Sequence, residues 1–190
     1  MDVIRTVDQL ERVVSRYHGY LWTLAFAGLG TGFRNQLDPR DLVQATLVRA
    51  IESFDQFGGG DERTLLAWLR AILTHVLLDE HRRLHRGKRN IELEQQALSQ
   101  CVDKSAAGLE AWLAAEQTSP SQAATRSEQL LRLADALAHL PDDQRQAVVL
   151  KYLQGRDLQS IANEMARTVP AVAGLLRRGL TQLRELLPEE

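Results

Sequence analysis

Cysteine is almost absent: Cys101 stands alone among 190 residues. That excludes an internal disulfide and any zinc site built from several cysteines. Long apolar runs are missing too, since the longest, Leu21 to Leu29, falls far short of the roughly 20 residues a membrane span requires. No basic segment leads into an apolar stretch at the start, so no export signal is expected. The expectation is a soluble, cytoplasmic protein with no membrane partner. Strand-like alternation and solenoid-length repeats are also lacking. So are a nucleophile elbow and a glycine-rich phosphate loop, which leaves hydrolase and kinase readings unsupported. What remains is 44% apolar and 25% charged, a globular composition that excludes global disorder. The length allows one ordinary domain or two small ones.

The formal net charge of −2 hides a segregation. Residues 63–90 carry Arg63, Arg70, Arg82, Arg83, Arg86, Lys88 and Arg89 against only Asp79 and Glu80. Residues 91–125 carry Lys104 against Glu92, Glu94, Asp103, Glu110 and Glu116. Further on, Arg167, Arg177, Arg178 and Arg184 follow Glu164 with no acid until Glu185. Two local basic patches on a weakly acidic chain point to a polyanion touched in two places. Two solvated helix faces are the plainer alternative.

Helical spacing runs through the chain. Val3, Val7, Leu10, Val14, Tyr17, Leu21 and Leu24 recur in steps of three and four, predicting an amphipathic helix ended by Gly28, Gly30 and Gly32. Asp38-Pro39 reads as an N-cap followed by proline at the first helical position. The helix it opens buries Leu42, Thr46 or Leu47, Ala50, Ile51 and Phe54. After Gly58-Gly59-Gly60 another helix buries Leu65, Trp68, Leu69, Ile72, Val76 and Leu77, which makes Trp68 a core residue. Residues 94–126 are rich in Gln, Ser and Ala and read as a linker, with a short helix around Leu98, Leu109, Trp112 and Leu113 as the alternative. Periodicity resumes at Leu130, Leu133, Leu137 and Leu140 and stops at Pro141; Asp142 to Leu153 reads as a further helix, closed by Gly155. The expected fold is all-α: two small helical domains, 1–90 and 127–190, joined by a flexible acidic linker, 91–126.

Residues 157–187 hold the most interpretable local pattern. Asp157 caps a helix with Leu158, Ile161, Ala162 and Met165 on its buried side. After a short break, Thr168 caps a second helix carrying Pro170 in its first turn. Two helices, a tight turn and arginines on the second describe a helix-turn-helix, whose second helix enters the major groove. There Arg177, Arg178 and Arg184 would neutralise phosphates. An αα-hairpin with a charged outer face is the competing reading.

With the first module included, the chain resembles a bacterial RNA polymerase sigma factor of the extracytoplasmic-function group. Asp41-Leu42-Val43-Gln44, continuing through Leu47, Arg49, Ala50 and Phe54, is similar to the helix that meets the polymerase clamp. Ala67-Trp68-Leu69-Arg70, Ile72, Asp79, Arg82 and Arg83 resemble the helix that melts and reads the −10 promoter element. Leu137 to Val149, through Leu140-Pro141 and Arg145, resembles the start of the second domain. Ile161-Ala162, Val172 and the run Leu175 to Leu180, with Leu183-Arg184, resemble the −35-reading helix-turn-helix. The resemblance implies that Asp41 and Gln44 bind a coiled coil of the largest polymerase subunit. It implies −10 contacts from Arg63, Arg70, His75, Arg82, Arg83 and Arg86. It implies −35 contacts from Arg167, Thr168, Val169, Ala173, Gly174, Arg177 and Arg178. The implied partners are polymerase core, through that coiled coil and the flap, and promoter DNA; an anti-sigma factor is a further partner the group admits. No enzymatic activity, cofactor or metal is implied.

The sequence departs from the pattern in three places. Ala45 stands where the clamp helix often has glutamate, and His75 where asparagine is usual. Val169, Ala173 and Gly174 are too short for bidentate contacts to base edges, which leaves thymine methyls, phosphates and DNA shape. Three rival readings remain. His81 and His85 lie at i, i+4, a spacing that can chelate a metal, but Arg82, Arg83 and Arg86 oppose a divalent ion. A self-sufficient helix-turn-helix regulator would need the first module as sensor or dimerisation domain. A scaffold that no longer initiates transcription is the third.

Overall fold

The structure, a computed structural model, describes residues 6–33, 36–84, 91–116 and 123–187. Every regular element among them is helical. They belong to two compact units, Met1–Val102 and Asp103–Glu190.

In the first unit Thr6 opens α1 (Val7–Val13) through a capping box with Gln9. A 3-10 turn, Val14–Tyr17, leads into α2 (His18–Phe33). From Gly19 to Ala27 α2 is buried on every side, because α3 and α4 both pack against it. The glycines expected to end this helix do not. Gly28 lies inside it, where a Cβ would sit 3.1 Å from Leu77 and from Val102, so its glycine admits two close neighbours.

Asp38 caps α3 (Pro39–Glu52), accepting from the Arg40 N–H at 2.8 Å. Asp61 caps α4 (Glu62–Leu84) through the Thr64 N–H and hydroxyl. Leu65, Leu69, Leu73 and Leu77 of α4 join Tyr17, Tyr20, Leu21 and Leu24 in the core. Tyr17 donates to the Glu62 carboxylate at 3.3 Å. Burial, then the Glu62 charge, pushes its phenol well above the usual range.

The expected flexible linker is largely a helix, α5 (Ile91–Glu116). Leu98, Val102, Ser105, Ala106, Leu109 and Leu113 are buried along it. Their steps of three and four form a continuous inner stripe. Small Ser105 and Ala106 interrupt its apolar signal, which is why composition read as linker. The first half packs in the first unit, where Cys101 Sγ approaches the Ala27 carbonyl at 3.4 Å.

The second half belongs to the second unit. Gly108 meets the Leu153 backbone, and Trp112 stacks on Tyr152 at 4.7 Å. α6 (Ala123–Ala138) and α7 (Asp142–Val148) follow, and a π turn, Val149–Leu153, extends α7. Gly155, at φ +64, closes it. α8 (Leu158–Glu164) and α9 (Val169–Leu186) complete the unit. Among the described residues no helix is long and apolar enough to cross a membrane.

Candidate nucleic-acid interface

α3 turns Leu42, Val43, Thr46, Leu47 and Ala50 inward. Asp41, Gln44, Ala45 and Val48 are exposed, in helical steps that put them on one face. Val48, 52% exposed, gives this polar face an apolar centre. Sequence reading missed it, although its place outside the apolar series of α3 was a usable signal.

Along α4, at about 100° per residue, the candidates Arg63 and Arg70 lie seven positions apart on one stripe, His75 and Arg82 on another roughly 100–140° away, and Arg83 roughly 80–100° beyond the second. Arg63 and His75 are exposed and Arg70 half-buried. Arg82 pairs with Asp79 at 3.0 Å and Arg83 with Glu80 at 2.7 Å. Asp79 also receives Arg49 of α3 at 2.8 Å. Arg86, like His85, lies outside the described residues; His81 is buried.

Trp68 is half-buried, not a full core residue as the apolar series implied; it packs with Phe57 at 5.0 Å and Phe54 at 6.3 Å and so anchors the loop before α4. In that loop Gly58 and Gly59 hold φ +67 and +82, conformations that suit glycine. Beside it Thr6, Val7, Phe54, Asp55 and Gly58–Gly60 line an open depression of about 580 Å³. The Thr64 hydroxyl, then its N–H, hold the Asp61 carboxyl below the usual range.

In the second unit Asp157 accepts from the Ser160 N–H at 2.9 Å, and Thr168 from the Ala171 N–H at 3.3 Å. The Ser160 hydroxyl and N–H hold Asp157 below its ordinary range. Ala166 adopts φ 51 in the turn between α8 and α9. Gly179 lets α9 approach α7, since a Cβ there would lie 2.9 Å from Val148 Cγ2. Ala162, expected on the buried side of α8, is buried; the close contact at Gly179 was not singled out from the sequence.

α9 buries Val172, Leu175, Leu176, Gly179 and Leu183. Its solvent side carries Ala173 and Arg177 in one row and Gly174 and Arg178 in the next. The Arg178 guanidinium lies 3.4 Å from where a Gly174 Cβ would be, folded back toward the helix N-terminus. Val169 is half-buried and Thr168 caps the helix. Arg167 is bound to Asp143 of α7.

Comparison with known proteins places the two units in known families. The sigma-70 region 2 family matches residues 9–87, and sigma-70 region 4 matches residues 130–183. The ECF RNA polymerase sigma factor EcfG of Rhodopseudomonas palustris is 31% identical over 86% of this chain and 77% of its own length. SigX of Bacillus subtilis, also an ECF RNA polymerase sigma factor, is 29% identical over 96% of this chain and 87% of its own. SigE of Mycolicibacterium smegmatis, another, is 29% identical over 93% of this chain, which spans 61% of that relative's length. With both regions matched in order and a relative above 30% identity covered over most of its length, the chain belongs to the sigma-70 family, in its ECF group of RNA polymerase sigma factors.

Proposed function

We propose that this chain directs RNA polymerase core to a subset of promoters, melting the −10 element with its first unit and engaging the −35 element with its second. One observation carries the reading: α3 exposes Asp41, Gln44 and Val48 on a face with no duty in the core, on the same unit as the cationic helix α4. Exposed polar groups around an apolar centre suit a partner protein. In this reading that partner is the coiled coil of the largest polymerase subunit. Arg63, Arg70, His75, Arg82, Arg83 and Arg86 follow the melted strand, and the depression beside Gly58–Gly60 admits an unstacked base. Ala173 and Gly174 leave room for the DNA to approach α9 closely, with Arg177 and Arg178 on phosphates and Arg167, Thr168 and Val169 at the helix entrance. The polymerase flap meets the second unit, and an anti-sigma factor is a further partner. The chain contributes no bond-making chemistry of its own, and the polymerase forms the bonds.

The test is the double substitution Asp41→Asn, Gln44→Ala. Both side chains are exposed, and Asp41, in the first turn of α3, adds only a small helix-dipole term of about 0.3–1 kcal/mol, so helicity and melting should change little. Core binding in pull-down and promoter-directed transcription should both fall. Tight binding of a specific duplex by the isolated wild type, with the variant unchanged in every assay, would favour the self-sufficient regulator.

A further inference from the structure

The two oxygens of Asp79 are taken by guanidiniums from two different helices. Arg49 of α3 reaches Oδ2 at 2.8 Å, and Arg82 of α4 reaches Oδ1 at 3.0 Å. All three side chains are about half exposed, so none is committed to the core. The cluster carries a net charge of +1. A carboxylate bridging two guanidiniums occupies the place a phosphate would take, because both anions offer oxygens to the same planar donors. Asp79 also follows His75 by four positions and precedes Arg82 by three, so the cluster continues the His75–Arg82 stripe.

We infer that Arg49 is a DNA-contacting residue: together with Arg82 it grips one backbone phosphate of the melted strand, which displaces Asp79 from between them. This rests on the reading of α4 as the −10 helix. It separates Arg49 from the polymerase-binding role of the rest of α3. The neighbouring residue Ala50 is buried, and the side chain of Arg49 is tied to α4. An α3 residue therefore serves the DNA side.

The experiment uses the full chain assembled with polymerase core. Its probe is a fork-junction DNA enriched from a random pool by the wild-type holoenzyme. Arg49→Gln should flatten log K against log salt by about 0.7, the value for one phosphate contact on a single strand. Affinity for core should not change. Arg49→Lys, which keeps the charge, should restore most of the slope. An unchanged slope in Arg49→Gln overturns the inference, as does a loss of core affinity with the DNA slope intact. A wild-type holoenzyme that enriches no DNA would instead sink the proposed function, and this inference with it.

Discussion

Arg145 donates through Nε to the carbonyl of Leu137 at 3.1 Å, and its Nη2 reaches the carbonyl of Leu140. A buried guanidinium thereby ties together the corner between α6 and α7, giving the Leu140 carbonyl a donor and the Leu137 carbonyl, which also accepts from the Leu140 N–H at 3.2 Å, a second one. Arg145→Met should destabilise the protein by roughly 1–3 kcal/mol, the cost of leaving one buried acceptor, the Leu140 carbonyl, without this donor. Its acidic partner Asp142 is 91% exposed, so Asp142→Asn should cost under about 1 kcal/mol. Urea denaturation of the two variants measures the contrast, and equal losses would show that the ion pair is what matters.

Ala166, at φ 51, holds a left-handed conformation that carries a penalty of roughly 1–2 kcal/mol for a residue with a Cβ. Glycine removes that strain but adds freedom to the unfolded chain. Ala166→Gly should therefore stabilise the protein by about 0.5–1 kcal/mol, raising the denaturation midpoint without altering DNA affinity. A lower midpoint would mean the turn is not strained.

Helix type and order were legible because leucines and short apolar residues recur in steps of three and four on α3, α4 and α9. The caps Asp38, Asp157 and Thr168 were legible because each stands just before such a series. Packing at glycines was not. Gly28 reads as a helix end in sequence, and only Leu77 and Val102 beside it make it an interior contact. The inner stripe of α5 stayed hidden because two of its buried members, Ser105 and Ala106, are small and carry little apolar signal. On the candidate DNA surfaces the cations were visible as a charge pattern. Their partners Asp79, Glu80 and Asp143 became apparent only in three dimensions.

The docking of α5 in the second unit can be tested at Gly108. A Cβ there would lie 2.5 Å from the Leu153 Cα, so one of the two backbones must shift. Gly108→Ala should cost about 1–3 kcal/mol, the range for overpacking. Gly179→Ala would press closely on a side-chain methyl of Val148, with Gln144 at ordinary contact distance, and should fall at the lower end. Chemical denaturation measures both. A neutral Gly108→Ala would show that α5 does not pack on residues 149–153.

Asp61 and Asp157 supply a pH dependence of predictable sign. Hydrogen bonds from Thr64 and Ser160 depress both carboxyls in the folded state. Their contribution is present above the unfolded aspartate pKa, near 3.9, and is lost as pH falls through the lower folded values. Asn can still cap a helix but does not titrate. The double variant Asp61→Asn, Asp157→Asn should therefore lose less stability between pH 5 and the acid limit, roughly. Denaturation midpoints across that range give the slope, and a slope steeper than wild type contradicts the capping assignment.

Arg167 offers a test of the second unit in which a substitution should strengthen binding. It is the one candidate −35 arginine whose ion pair, with Asp143, is described. A phosphate must compete with that carboxylate before Arg167 can serve. The side chains are 45% and 51% exposed, so the pair holds Arg167 by no more than about 1 kcal/mol. Asp143→Asn removes the competitor and one negative charge near the DNA. It should tighten holoenzyme binding to a duplex carrying the −35 element by up to about five-fold at low salt. The gain should shrink as salt screens the charges. Arg177→Gln with Arg178→Gln should act oppositely, flattening log K against log salt by up to about two units, near 0.9 for each phosphate contact. If Asp143→Asn weakened binding instead, Asp143 would be orienting Arg167 for DNA, and the pair would belong to the recognition surface as a unit.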